Sequence, residues 1–112
     1  VNAKPVVALF EVEADLEFAM AYYASWQTDR AARLLEKYDE TVGAIELTPD
    51  AYPRKQGASQ RATLRRSFYF GYCIQKIDRS VVLAVLDGRR SPRKIRRLVG
   101  FRRLLTHPSA DK

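Results

Sequence analysis

The sequence predicts an α+β fold in which an antiparallel β-sheet is packed by an N-terminal helix hairpin, in the order β-α-α-β-β-β-α. Three observations predict it. Apolar residues recur at helical spacing through two consecutive segments between residues 14 and 48, as amphipathic helices require. Two later runs, RATLRRSFYFGYCIQKI and SVVLAVLD, are rich in aromatic and β-branched residues and are separated by Asp78-Arg79 alone, which reads as strands closed by a tight turn. The chain has 112 residues, 46% hydrophobic and 29% charged, the size and composition of one globular domain spanning 1–112.

The first element is VVALF, residues 6–10, a short apolar run that reads as a buried strand. In ADLEFAMAYYASW, Leu16, Met20, Tyr23 and Trp26 or Gln27 fall on one helical stripe, and Asp15 and Glu17 stand near the N-terminus, where the helix dipole favours anions. Thr28 or Asp29 can cap a second helix, in which Leu34, Tyr38, Val42 and Ile45 share a stripe until Thr48-Pro49 ends it. So short a link makes the two helices antiparallel neighbours. PDAYPRKQGASQ, residues 49–60, is rich in Pro, Gly and polar side chains and reads as a loop. Strands are expected over 61–66, 68–77 and 80–86 in an antiparallel meander, with Gly71 marking a bulge or a close backbone approach. Pro92 sits where a helix can begin. Ile95, Leu98 and Val99, with Leu105 as a further candidate, give residues 92–105 an apolar edge among arginines, and residues 106–112 read as a flexible tail.

Charge is distributed unevenly. Residues 1–48 carry four basic side chains (Lys4, Arg30, Arg33, Lys37) against nine acidic ones, whereas residues 49–112 carry sixteen against four, so −5 is followed by +12. The fifteen residues 89–103 hold eight Lys or Arg and no acid. Such a split predicts an acidic side and a strongly basic side that steers polyanions or acidic protein surfaces toward itself. Several classes are excluded. The apolar runs at 6–10 and 81–86 are far shorter than a membrane span, and no secretory signal is visible, so a cytoplasmic protein without a membrane partner is expected. Cys73 is the only cysteine and His107 the only histidine, which together cannot furnish a tetrahedral metal site. No glycine-rich phosphate loop appears, and no cofactor is expected.

The ordered set EADLEFAMAYYASW, a second helix ending IELTPDAYP, then RATLRRSFYFGYCI and VVLAVLDGRRSP resembles the RelE/ParE superfamily of bacterial toxins, often labelled plasmid stabilisation proteins. The resemblance spans residues 6–95. It implies a small toxin with a helix hairpin on an antiparallel sheet, neutralised by an antitoxin encoded beside it. RelE-like members are ribosome-dependent endoribonucleases that cleave mRNA, whereas ParE-like members act on DNA gyrase.

The residues favour the second branch. Cleavage through a 2′-hydroxyl needs a base, an acid and cations. Arg61, Arg65, Arg66, Arg89 and Arg90 can supply the cations, but Asp87 stands where many family members have His, and Gly71 stands where nucleases often carry Arg. No Tyr lies beyond Tyr72. If the chain is a nuclease, Arg65, Asp87, Arg89 and Arg90 are its catalytic candidates. Otherwise Asp87 before Gly88 suits a strand-ending turn. The expected functional face is cationic: Arg89, Arg90, Arg93, Lys94, Arg96 and Arg97 at the strand-helix junction, with Arg61, Arg65 and Arg66 as further binding candidates. A plain nucleic-acid binder without toxicity is the third reading. Cys73 reads as a core residue, His107 as part of the tail, and Trp26 as buried or as a partner's anchor. Tyr69, Tyr72, Phe68 and Phe70 either stack bases or alternate into the core.

Overall fold

The computed structural model describes residues 3–25 and 28–106. Its elements are β1 (Val6–Ala8), α1 (Glu11–Ala24), α2 (Thr28–Leu47), a single 3-10 turn (Pro49–Ala51), β2 (Arg54–Gln56), β3 (Ser59–Thr63), β4 (Tyr69–Gln75), β5 (Ser80–Asp87) and α3 (Pro92–Leu104). The α+β class and the helix hairpin are as the sequence predicts. Trp26, Gln27 and His107 lie outside the described residues, as does the tail from residue 107. Thr106, expected in that tail, is buried at the end of α3, where its carbonyl accepts a hydrogen bond from Lys76 Nζ at 2.6 Å.

The strands form one sheet in the order β1-β5-β4-β3-β2. It is mixed rather than antiparallel, because β1 pairs with β5 in parallel, Val6 opposite Ser80 and Ala8 opposite Val82. Seventy-one residues, 9–79, that include the helix hairpin separate the two, ample for the crossover that parallel pairing needs. The fifth strand lies in the stretch read as a loop. Three residues of β2 turn back on β3 through Gly57, whose φ of +64° places it where a tight hairpin favours glycine. A strand so short and polar leaves no alternation to read. β1 is also not buried: Val7 is 45% exposed at the sheet's edge. The helix α1 starts three residues earlier than its apolar stripe suggested, with Glu11 and Glu13 in its first turn.

The helices divide between the two faces. On one, Val12, Ala19 and Tyr23 of α1 and Ala31 and Leu34 of α2 pack with Leu64, Tyr69, Val82 and Val85. On the other, Ile95 and Val99 of α3 cover Tyr72, Val81, Leu83, Ala84 and Leu86. β5 is therefore buried on both sides, which is why its sequence is a continuous apolar run instead of an alternating one. A bulge lies here, at a different place from the one expected. Tyr72 pairs with Ala84 but Cys73 with Val82, so Leu83 is the extra residue, and Leu83 and Ala84 both face α3. Gly71 is no close approach, since an added Cβ would meet only ordinary contacts at 3.8 Å or more.

Candidate functional site

The strand-helix junction is built around Gly88. Its N–H donates to the Phe68 carbonyl at 2.7 Å, and an added Cβ would lie 1.9 Å from the Phe70 ring, so only glycine lets the chain turn off β5 there. Asp87 closes the turn. Its carboxylate accepts from the Arg89 backbone N–H at 2.8 Å and from the Arg89 guanidinium at 3.0 and 2.8 Å. That bidentate grip holds the Asp87 carboxyl below the usual carboxylate range. The Arg89 guanidinium in turn lies 4.0 Å from the Phe68 ring centroid, and its pKa is raised by Asp87 first and Tyr22 second. Arg90 approaches the Phe18 ring at 5.9 Å.

From Pro92 the helix α3 carries the remaining cations outward. Its inner stripe is Ile95, Val99 and Arg102, all buried. Arg93, Lys94, Arg96 and Arg97 are exposed, and none makes an ion pair among the described residues. An apolar strip runs between them: Lys94, Arg97, Leu98 and Phe101 line an open recess of about 420 Å³, and Phe101 is 60% exposed. Leu98 also lines a second recess of about 220 Å³ with Ala14 and Phe18 of α1, Asp87 and Arg90. The second recess is a groove between α1 and α3, with Asp15, Asp87, Arg90 and Arg102 among its lining, and the first adjoins it on α3 alone through the shared Leu98.

Sequence reasoning missed what holds that groove in place. β1 covers β5 only as far as Val82, and beyond it a charged pair takes the place of a neighbouring strand. Asp15 accepts from the Val85 N–H at 3.0 Å, Arg102 donates to the Leu83 carbonyl at 3.1 Å, and Arg102 meets Asp15 through two hydrogen bonds, one of 3.0 Å. Both side chains are 10% exposed. The pair clamps α1 and α3 across the sheet's edge. One signal was available: Arg102 continues the inner stripe three residues beyond Val99 and seven beyond Ile95, so a helix would bury it.

The nine candidate cations do not form one surface. Arg61 lies on the face that α3 covers, opposite Tyr72 in the β3–β4 register and with its guanidinium 4.5 Å from the Phe70 ring. Arg65 and Arg66 sit in the β3–β4 turn and share a recess with α2. Of the four aromatic residues considered for stacking, Tyr69 and Tyr72 are buried and Phe70 is half-buried, while Phe68 is 51% exposed with Arg89 over one face. Cys73 is buried, and desolvation pushes its thiol up to about 11. Among the described residues no three His, Cys, Asp or Glu side chains come together in a way that could hold a metal ion, and no helix is long and apolar enough to cross a membrane.

No family model matches the chain, and no curated protein matches it. Among solved structures it is similar to a chain described as "Chromosomal ParDE TA system from P. aeruginosa", with a TM-score of 0.66 at 15% identity, over 74% of this chain and 94% of that one. The backbone arrangement agrees, and the chain has the ParE-like α+β fold.

Proposed function

We propose that this chain is the toxin of a toxin–antitoxin pair, a plasmid-stabilisation type of system, and that it acts as ParE-like toxins do, by binding DNA gyrase. The observation that carries the choice of binding over cleavage is the state of Asp87. An mRNA endoribonuclease would need a proton acceptor at this junction, and the carboxylate there is gripped by Arg89 and kept ionised well below neutral pH, where it is a weak base. Arg93, Lys94, Arg96 and Arg97 stay available for carboxylates or phosphates of a macromolecular target. The ParDE system of the structural neighbour supports an antitoxin as the second partner. A segment with alternating acidic and apolar side chains matches the groove between α1 and α3 together with the adjoining recess on α3, with Phe18 and Leu98 in the first, Leu98 and Phe101 in the second, and Arg90, Lys94 and Arg97 beside them.

A supercoiling assay tests the reading. Purified gyrase loses activity as the protein is added in excess, and an antitoxin encoded next to the gene restores it. Undiminished supercoiling at large excess overturns the gyrase reading, and cuts in the ribosomal A site seen by primer extension on translated mRNA replace it with the nuclease reading.

A further inference from the structure

The turn between β3 and β4 carries a backbone feature that the toxin reading does not use. Ser67 N–H donates to the Leu64 carbonyl at 3.1 Å, closing a four-residue turn with Arg65 and Arg66 at its centre. Arg66 has a φ of +58°, the only non-glycine residue in the left-handed region among those described. A side chain there is strained relative to glycine, and turns with this conformation normally place glycine or asparagine at the position. The strained residue is held from α2, where Lys37 Nζ donates to the Arg66 carbonyl at 3.2 Å.

The strain brings cations together. Arg65 and Arg66 face Arg33 and Lys37 across an open recess of about 260 Å³, with Glu36 and Glu40 completing its lining. Arg33 is engaged by Asp29 at 2.8 Å, but no ion pair joins Lys37, Arg65 or Arg66 to either glutamate among the described residues. Desolvation first, and then repulsion from Arg30, Arg33 and Arg66, lowers the pKa of Lys37. A small, multiply charged oxyanion would relieve that repulsion, and two guanidinium forks with an ammonium group offer it directional donors.

We propose that this recess, formed by Arg33, Lys37, Arg65 and Arg66, is a phosphate-binding site that takes a diphosphate group, free or at the end of a nucleotide. It is separate from the α3 surface and stands or falls independently of the toxin reading. Calorimetric titration of the full chain with inorganic pyrophosphate at low salt tests it, using Arg66→Gly as the informative variant. Glycine removes a donor and also relieves the backbone, so the variant melts at the same or a higher temperature while its pyrophosphate affinity falls about tenfold, the value of one charge-assisted contact. Lys55→Ala, on β2, retains wild-type affinity. Equal affinity in wild type and Arg66→Gly, or equal losses in Arg66→Gly and Lys55→Ala, overturns the site, the second result reducing it to net charge. Repeating the titration with ADP identifies the source: equal affinities mean that the diphosphate alone is recognised, and tighter ADP binding means a nucleotide.

Discussion

Asp15 and Arg102 show how much one pair of side chains decides. Each is almost fully buried, and a buried charge left alone costs several kcal/mol. Arg102→Ala is therefore expected to destabilise the fold by about 3–5 kcal/mol, read as a fall in the urea midpoint at unchanged slope. The double variant Asp15→Leu/Arg102→Met separates this pair from an ordinary ion pair. Apolar replacement of a buried pair is often harmless. Here it orphans the Val85 N–H and the Leu83 carbonyl on the edge of β5, so a deficit of about 1–3 kcal/mol remains. A double variant as stable as wild type contradicts the edge-capping role. Neither residue was legible as a clamp: Asp15 looked like an anion favoured by a helix dipole, and Arg102 looked like one cation of eight. Their partnership spans 87 positions, and local spacing carries no information about such a contact. Asp87, by contrast, was legible, because its partner is two residues away in a turn whose chemistry is local.

At the scale of elements, α3 has two faces with separate duties, and substitutions can address them independently. Ile95, Val99 and Arg102 attach it to the sheet, while Lys94 and Arg97 stand on the exposed side beside Phe101. The double variant Lys94→Ala/Arg97→Ala leaves stability within about 0.5 kcal/mol, since it removes exposed, unpaired and mutually repelling charges. If the chain inhibits gyrase as proposed, that inhibition falls at least tenfold in the same protein, measured as the dose needed to halve supercoiling. A variant that keeps full potency moves the functional face away from α3. Ile95 and Val99 of the inner stripe could be read from the sequence because 3.6-residue periodicity survives even in a segment dominated by arginine, but Arg102 completes that stripe where Leu105, the further candidate for its apolar edge, is 38% exposed. β2 could not be read. Its pairing depends on Gly57 turning three polar residues back onto β3, and neither length nor hydrophobicity marks it as a strand. The parallel pairing of β1 was hidden for a related reason, since register between segments so far apart in the chain is set by how α1 and α2 pack between them.

Over the whole molecule, the charge split in the sequence becomes a split in space. The acidic half forms α1 and α2 on one face of the sheet, and the longest cationic run forms the junction and α3, which covers the opposite face. Exposed charges of one sign on one side accelerate the encounter with an oppositely charged partner more than they strengthen the final complex. Raising salt from 50 to 500 mM shortens the screening length from roughly 14 to 4 Å. The association rate of an acidic partner measured by surface plasmon resonance is thus expected to fall about tenfold or more across that range. The dissociation rate should change far less, because contacts to the apolar side chains of the two adjoining recesses, Phe18, Leu98 and Phe101, are insensitive to ionic strength. Duplex DNA offers a contrasting pattern. A protein that simply neutralises four phosphates shows an equilibrium slope of roughly −3.6 in log affinity against log salt, with no apolar contribution surviving at high salt. A partner whose binding disappears entirely at 500 mM is being held by charge alone, and the groove between α1 and α3 would then have no part in recognition.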